Sequence, residues 1–247
     1  MSFSLRSFDL HEMLRCGLDV RRMVQAAASM EEAAQQVVRY FHEECADPET
    51  GARECVLARF YKTHSYGTLE PELQAFARER LGDRPPHGDM KCLVLLGTAG
   101  DEPGWNSRRD SRGHQAIPLP SAGMVERAPM IAELIRGLGL EIEAVVTPRP
   151  ELVRGAENRT YNVFYVAEAE GSPFIPAQED FVRPHGVRSV VGFGGLLLSG
   201  DFYSVILFSR VPIPPESADR FRNIALDLKI AISPLAGDLT FAPLAKA

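Results

Sequence analysis

The sequence predicts an α+β domain: a central antiparallel sheet of five or six strands, with the N- and C-terminal helices on one face. Both ends show apolar residues at the helical period, and segments rich in strand formers lie between them. Ser199-Gly200-Asp201 separates two apolar segments and predicts a hairpin, which excludes an all-parallel sheet. Strands are predicted near 55–63, 91–97, 161–168, 187–198 and 201–210, and the terminal helices over 8–26, 29–45 and 215–233.

The first helix has an apolar stripe that includes Leu10, Leu14 and Leu18. The second opens at Ser29, where Ser29-Met30-Glu31-Glu32 has the form of a capping box. If helix 29–45 also covers the sheet, the stripes of the first and last helices exceed what one sheet face needs. We therefore expect Leu10, Leu14 and Leu18 to contact a second subunit in a homodimer.

The middle of the chain alternates strand and helix signals. The segment 55–62 has the alternation of a strand, and 92–96 is short and apolar, as in a strand buried on both faces. Helical spacing returns over 68–81 and again after Pro129, which starts a helix at its first turn. The stretch 99–123 has neither period, and a loop of this length inside a compact domain is usually functional or disordered. The single tryptophan and the apolar patch Ile117-Pro118-Leu119 argue against disorder.

Composition limits the classes of partner. The 247 residues are 45% hydrophobic and 24% charged, which is typical of a folded domain with a sizeable core. A net charge of −6 without a basic block argues against a nucleic-acid partner, and no apolar run approaches the length that spans a bilayer. We expect a cytoplasmic protein with no membrane partner. The cysteines lack metal-ligand spacing, so no metal site is predicted.

The stretch 190–210, followed by Ile213-Pro214 and an amphipathic helix, resembles the end of a GAF domain, where a strand, a tight turn and a strand precede the last helix. The resemblance implies a sensory or regulatory domain of bacterial type, with a ligand pocket between the sheet and the intervening loops and with terminal helices that pair across a dimer. It divides the chain into a dimerisation helix over 1–28, a GAF-like domain over 29–234 and a tail over 235–247. Residues 65–160 are longer than a typical GAF middle section, and neither the Asn-Lys-Phe-Asp-Glu signature of cyclic-nucleotide binders nor a cysteine placed for a bilin is found. The ligand and any cofactor therefore stay unknown.

The loop at 99–123 contains the densest polar and aromatic cluster. Trp105 offers a stacking face, Arg108 and Arg109 offer forks for carboxylate or phosphate, and His114 offers a hydrogen bond. Folded over the sheet, these residues predict a site for a small anionic or aromatic ligand. In the alternative interpretation Trp105 plugs the sheet edge, and nearby carboxylates or solvent satisfy the arginines. Two residues at the end of the first strand, His64 and Tyr66, are predicted to lie on the same rim.

Three functions are consistent with these patterns. The first is a ligand-binding sensor that acts through its dimer on an effector protein or a fused effector domain. The second is an interaction or dimerisation module without a ligand. The third is a thiol-dependent enzyme that uses Cys55 or Cys92, although the strong sequence signatures of catalysis are absent. Gly192-Phe193-Gly194-Gly195 does not open a helix, so close packing is favoured over a phosphate cradle.

Overall fold

The structure is a computed structural model that describes residues 2–149, 162–237 and 240–241. Seven α-helices are described: α1 (Leu10–Ala26), α2 (Met30–Glu44), α3 (Pro71–Leu81), α4 (Ala122–Val125), α5 (Pro129–Gly137), α6 (Ile142–Val146) and α7 (Pro215–Ile232). Six strands are described: β1 (Cys55–Ser65), β2 (Lys91–Gly100), β3 (Ala116–Leu119), β4 (Val163–Val166), β5 (Ser189–Leu196) and β6 (Phe202–Ser209). No helix within these ranges is long and apolar enough to cross a membrane.

All six strands form one antiparallel sheet in the order β3-β2-β1-β6-β5-β4. The hairpin predicted around Ser199-Gly200-Asp201 joins β5 to β6, and Leu196 pairs with Phe202 at its closed end. The central position of β1 and β6 puts their side chains at the middle of both sheet faces. The predicted α+β antiparallel fold is confirmed.

The terminal helices cover one face of the sheet, here called the helix face. α2 packs against β1 and β2, α7 packs against β4 and β5, and α1 packs against α7 and α2. Phe8, Phe41, Phe193 and Phe221 are fully buried and form successive ring contacts between these layers. This arrangement, with the last helix following the β5–β6 hairpin, is the GAF-like fold that the resemblance implies.

Side chains cap the N-termini of the first two helices, α1 and α2. Asp9 and Glu12 form a reciprocal capping box at α1, which the sequence analysis did not identify. At α2 the Ser29 hydroxyl accepts from the Glu32 backbone N–H as expected, but the Glu32 carboxylate accepts from the N–H of Ala28 instead of Ser29. Both devices satisfy backbone donors that the first helical turn leaves free.

The opposite face, here called the loop face, carries a second apolar core under α4, α5 and α6. The sequence analysis predicted α5 but assigned 99–123 to an unbroken loop, and it did not identify β3, α4 or α6. That assignment is corrected: β3 pairs with β2 at the edge of the sheet, where prolines such as Pro118 are tolerated. The strand predicted over 161–168 is observed at Val163–Val166, and its first residue, Tyr161, lies outside the described residues, as do 238–239 and 242–247 of the predicted tail.

One glycine sets the distance between α2 and the sheet. A Cβ on Gly97 would lie 2.6 Å from the carbonyl carbon and oxygen of Ala34 in α2. Backbone atoms cannot rotate away as a flexible side chain can, so the helix must move off the sheet. We expect Gly97→Ala to reduce the free energy of unfolding by about 1–3 kcal/mol, the usual effect of overpacking. Urea denaturation measures this change.

The matched control is Gly104→Ala, because a Cβ at Gly104 meets nothing within 4 Å. This variant should stay within about 0.5 kcal/mol of the wild-type protein. Equal stabilities of the two alanine variants would show that α2 does not need the close approach at Gly97.

Candidate functional site

A cavity of about 220 Å³ lies on the loop face, between the central strands and the segments that cover them. Its walls are mainly apolar and come from β1, β2, β3, β6, α5 and three loops. The lining residues are Arg59, Tyr61, Leu93, His114, Ile117, Ala128, Pro129, Met130, Ile131, Leu134, Pro176, Ile206 and Phe208. Apolar walls with a few convergent polar groups are typical of small-molecule sites.

Arg59 and Tyr61 enter the cavity from the central strand β1. They are two residues apart, so they share the loop face, while Ala58 and Phe60 belong to the core of the helix face. The Arg59 Nη1 lies 3.5 Å from the Tyr61 hydroxyl, and the buried Nε of Arg59 has no hydrogen-bond partner in the part of the chain that the structure describes. Burial raises the pKa of Tyr61, although the Arg59 charge opposes the shift, so the phenol stays neutral. Among the described residues Arg59 forms no ion pair.

His114 is supplied by the loop that leads into β3, and it keeps part of its surface exposed. Partial burial lowers the pKa of His114 to about 4, and the positive charges of Arg59 and Arg80 act in the same direction. Arg80 of α3 holds this loop, since its guanidinium donates to the Arg112 carbonyl at 3.2 Å and lies over the Phe76 ring. At neutral pH the imidazole is therefore a hydrogen-bonding group without charge.

Three of the predicted ligand-binding residues lie on the helix face instead. The buried Arg108 pairs with Glu31 at 2.6 Å and with Glu70 at 3.6 Å, so its charge is compensated within the protein. His64 is also buried and contacts the Phe241 ring, which lies 5.7 Å from the Arg108 guanidinium carbon. The Tyr66 hydroxyl accepts a hydrogen bond from Arg78 at 2.9 Å.

Trp105 lies on the loop face but outside the cavity lining. Its ring makes edge contacts with Phe181 and His185, and Phe181 in turn contacts Phe208, which lines the cavity. Arg109 is exposed. The sheet thus separates Trp105 and His114 from His64 and Arg108, and the expectation of one shared rim is corrected. Of the six predicted ligand-binding residues, His114 is the one that lines the cavity.

The sequence analysis did not single out Arg59 or Tyr61. A signal was available, because Arg59 interrupts the apolar strand 55–61 at a position whose side chain faces the same way as Tyr61. A charged residue in the middle of a buried central strand needs a compensating partner or a function. That signal does not reveal which other segments complete the cavity.

The thiol-dependent alternative finds little support in the surroundings of the cysteines. All four side chains are buried, and burial raises the pKa of both Cys55 and Cys92 to about 12. A thiol with such a pKa is protonated at neutral pH and is a poor nucleophile. Gly192, part of the segment compared above with a phosphate cradle, packs closely instead: a Cβ there would lie 2.9 Å from Leu134 Cδ1.

No group of three or more His, Cys, Asp or Glu side chains within 2–149, 162–237 and 240–241 is arranged to hold a metal ion. The cavity lining also lacks a set of metal ligands, since its polar residues are one arginine, one tyrosine and one histidine. These groups donate hydrogen bonds and fit an organic anion better than a cation.

The chain is similar to several solved structures at low sequence identity. A free methionine-R-sulfoxide reductase from Neisseria meningitidis, solved with its substrate, is 10% identical with a TM-score of 0.48, over 93% of this chain and 96% of that chain. The phytochrome photosensory core module of Stigmatella aurantiaca is 11% identical with a TM-score of 0.41, over 94% of this chain and 37% of that chain. An N-acylhomoserine lactone dependent LuxR family transcription factor from Burkholderia cenocepacia is 13% identical with a TM-score of 0.40, over 92% of this chain and 99% of that chain. No protein-family model and no curated protein sequence matches the chain, so function is inferred from the cavity itself.

Proposed function

We propose that this protein is a cytoplasmic sensory domain that binds a small molecule in the loop-face cavity. The observation that carries the proposal is a cavity of about 220 Å³ with mainly apolar walls, in which the Nε of Arg59 has no hydrogen-bond partner and Arg59 forms no ion pair among the described residues. A half-buried guanidinium without a counter-charge lowers the stability of the folded state, and an anionic ligand would offset that cost. The ligand-binding roles of Trp105, Arg108, Arg109, His64 and Tyr66 stay predictions.

The test is a thermal-shift screen of small metabolites on the wild-type protein and on Ile117→Trp, which fills part of the cavity from β3. A ligand at a hundredfold excess over its Kd stabilises the folded state by about 2.7 kcal/mol. For a chain of this size that corresponds to a rise in melting temperature of about 5–10 °C. The shift should be lost in Ile117→Trp and kept in Leu198→Trp, which alters an exposed residue of the β5–β6 connection.

The proposed output runs through the terminal helices of a homodimer, toward an effector protein or a fused effector domain. On α1, Leu10, Leu14 and Leu18 are 61%, 58% and 54% exposed and follow one another at four-residue spacing. Leu226 and Ile230 are exposed on the neighbouring α7 at the same spacing. Exposed apolar residues on two helices that pack against each other favour a second copy of the chain. The second candidate function is an interaction module without a ligand. It is favoured if the protein forms the dimer through Leu10, Leu14 and Leu18 while the thermal-shift screen finds no ligand.

Replacement of two stripe residues tests the dimer. We expect the Leu14→Glu, Leu18→Glu variant to sediment as a monomer at micromolar concentration, where the wild-type protein sediments as a dimer, because four carboxylates would meet at the interface. Both side chains are exposed in the monomer, so its melting temperature should change little. Leu198→Glu, also an exposed leucine, should remain dimeric. A wild-type monomer in sedimentation velocity would contradict the proposal.

A further inference from the structure

The cavity also carries information about the chemical class of its ligand. None of its described lining residues is acidic, and the Arg59 guanidinium is the permanent cation among them. A guanidinium presents a planar fork that matches the two oxygens of a carboxylate. Since the buried Nε has no partner among the described residues, the site has a donor free for such a group.

The number of charges favours a monoanion. Arg59 supplies one fixed positive charge, Tyr61 is a neutral phenol, and the His114 imidazole is uncharged at neutral pH. A second negative charge on the ligand would face apolar side chains such as Leu93, Ile206 and Phe208. An uncompensated charge in those surroundings is strongly unfavourable.

The apolar walls of the cavity determine the size and shape of the ligand's apolar part. Leu134, Ile206 and Phe208 provide branched and aromatic surface, and Met130 can adjust its shape to the occupant. The volume of about 220 Å³ is below the 300–1,000 Å³ that is usual for drug-sized ligands. The cavity therefore fits a single ring or a short branched chain.

We infer that the cavity binds a small apolar monocarboxylate, such as an arylacetic or branched-chain carboxylic acid. Arg59 holds the carboxylate, with Tyr61 and His114 as further hydrogen-bond partners, and the apolar part of the ligand packs on α5 and β6. The inference rests on the proposed function, and it deepens that proposal by naming the ligand class and the residue that selects it.

Isothermal titration calorimetry with three matched probes tests the inference. Phenylacetate is the monoanion, phenylacetamide is its neutral analogue and phenylmalonate is the dianion. Phenylacetate should bind most tightly of the three. A fourth compound, 4-methylpentanoate, represents the branched-chain acids and should also bind. If the amide or the dianion binds as tightly as phenylacetate, the monocarboxylate assignment is wrong. It is also wrong if neither phenylacetate nor 4-methylpentanoate binds.

The variant Arg59→Met keeps much of the side-chain length and removes the charge. It should weaken phenylacetate binding by about 10- to 150-fold, the effect of one hydrogen bond to a charged group, and should leave the weaker amide binding unchanged. The control Arg39→Met removes an exposed arginine of α2, on the other face of the sheet, and should change affinity by at most about fivefold. Without ligand, Arg59→Met should melt no lower than the wild-type protein, because it removes a cation that has no counter-charge.

The possible failures are distinguishable. If Arg59→Met melts lower but binds phenylacetate with unchanged affinity, Arg59 has a structural role and the inference is overturned. If the monocarboxylates do not bind but other compounds raise the melting temperature of the wild-type protein and not that of Ile117→Trp, the proposed ligand class is wrong and the sensory function stands. If nothing shifts the protein in the screen, the proposed function itself fails.

Discussion

Replacement of Asp201 by asparagine is expected to reduce the free energy of unfolding by about 3–5 kcal/mol, the usual effect of removing one partner of a buried ion pair. Asp201 begins the β6 side of the hairpin, and its carboxylate lies 3.0 Å from Lys62 Nζ and 2.9 Å from Lys91 Nζ. The Lys62 side chain is 1% exposed and the Lys91 side chain 12% exposed, so water compensates poorly for the lost carboxylate, least of all at Lys62.

The pKa shifts of this cluster agree with that expectation. Burial would raise the pKa of Asp201, but the two ammonium groups outweigh it and hold the pKa below its ordinary value. Burial lowers the pKa of Lys62, and the Asp201 charge opposes that shift. The carboxylate is therefore what keeps a buried lysine charged within the sheet.

Urea denaturation at pH 7 measures the effect, with Asp219→Asn as the matched control. Asp219 pairs with Arg222 on the exposed surface of α7, so its loss should cost no more than about 1 kcal/mol. Addition of Lys62→Met to Asp201→Asn should recover part of the lost stability, because it removes the more buried of the two ammonium groups. Equal effects of Asp201→Asn and Asp219→Asn would contradict the account of a buried charge cluster.

The second large effect is an acid sensitivity that depends on His64. Its side chain is buried on the helix face, and its Nε2 has no hydrogen-bond partner within 2–149, 162–237 and 240–241. Burial lowers the pKa of His64 to about 3; the charges of Lys62 and Lys91 add to the shift, and the charge of Asp201 opposes it. The folded protein therefore holds this imidazole neutral over a range in which the unfolded chain protonates it.

The sign follows from proton binding. Between about pH 6.5 and pH 3 the unfolded state carries one more proton at His64 than the folded state, so the free energy of unfolding falls as the pH falls. The slope contributed by this residue reaches about 1.4 kcal/mol per pH unit. Above pH 6.5 both states are neutral at His64, and the residue contributes no pH dependence.

His64→Leu should flatten the pH dependence by up to that slope in urea titrations between pH 4 and pH 6.5. His42 and His114 also have lowered pKa values, so part of the wild-type slope will remain in the variant. The control His87→Asn alters an exposed histidine and should retain the wild-type slope. If His64→Leu also retains the slope, the imidazole is protonated in the folded state and the account is wrong.

The sequence by itself determined the elements whose signal is local and long. The helical period over Phe221, Ile224, Ala225 and Leu228 predicts α7, and the paired apolar segments around Ser199-Gly200-Asp201 predict the β5–β6 hairpin. These signals persist along each element because α7 buries one face and β5 and β6 bury both faces. The shorter elements were not predicted. α4 and α6 have only four and five residues, too few to show a period, and Pro118 makes the edge strand β3 look unlike a strand in the sequence.

Only the tertiary structure decided which polar residues share a site. Arg108 and His114 lie six positions apart in one loop, yet Arg108 turns to Glu31 and Glu70 on the helix face while His114 joins Arg59 at the cavity. Local sequence cannot assign those partners, because they come from elements separated by tens of residues and are brought together by the burial of both sheet faces. The sequence shows that arginines and histidines are available; whether each is compensated within the protein or left free for a ligand depends on which carboxylates the fold places beside it.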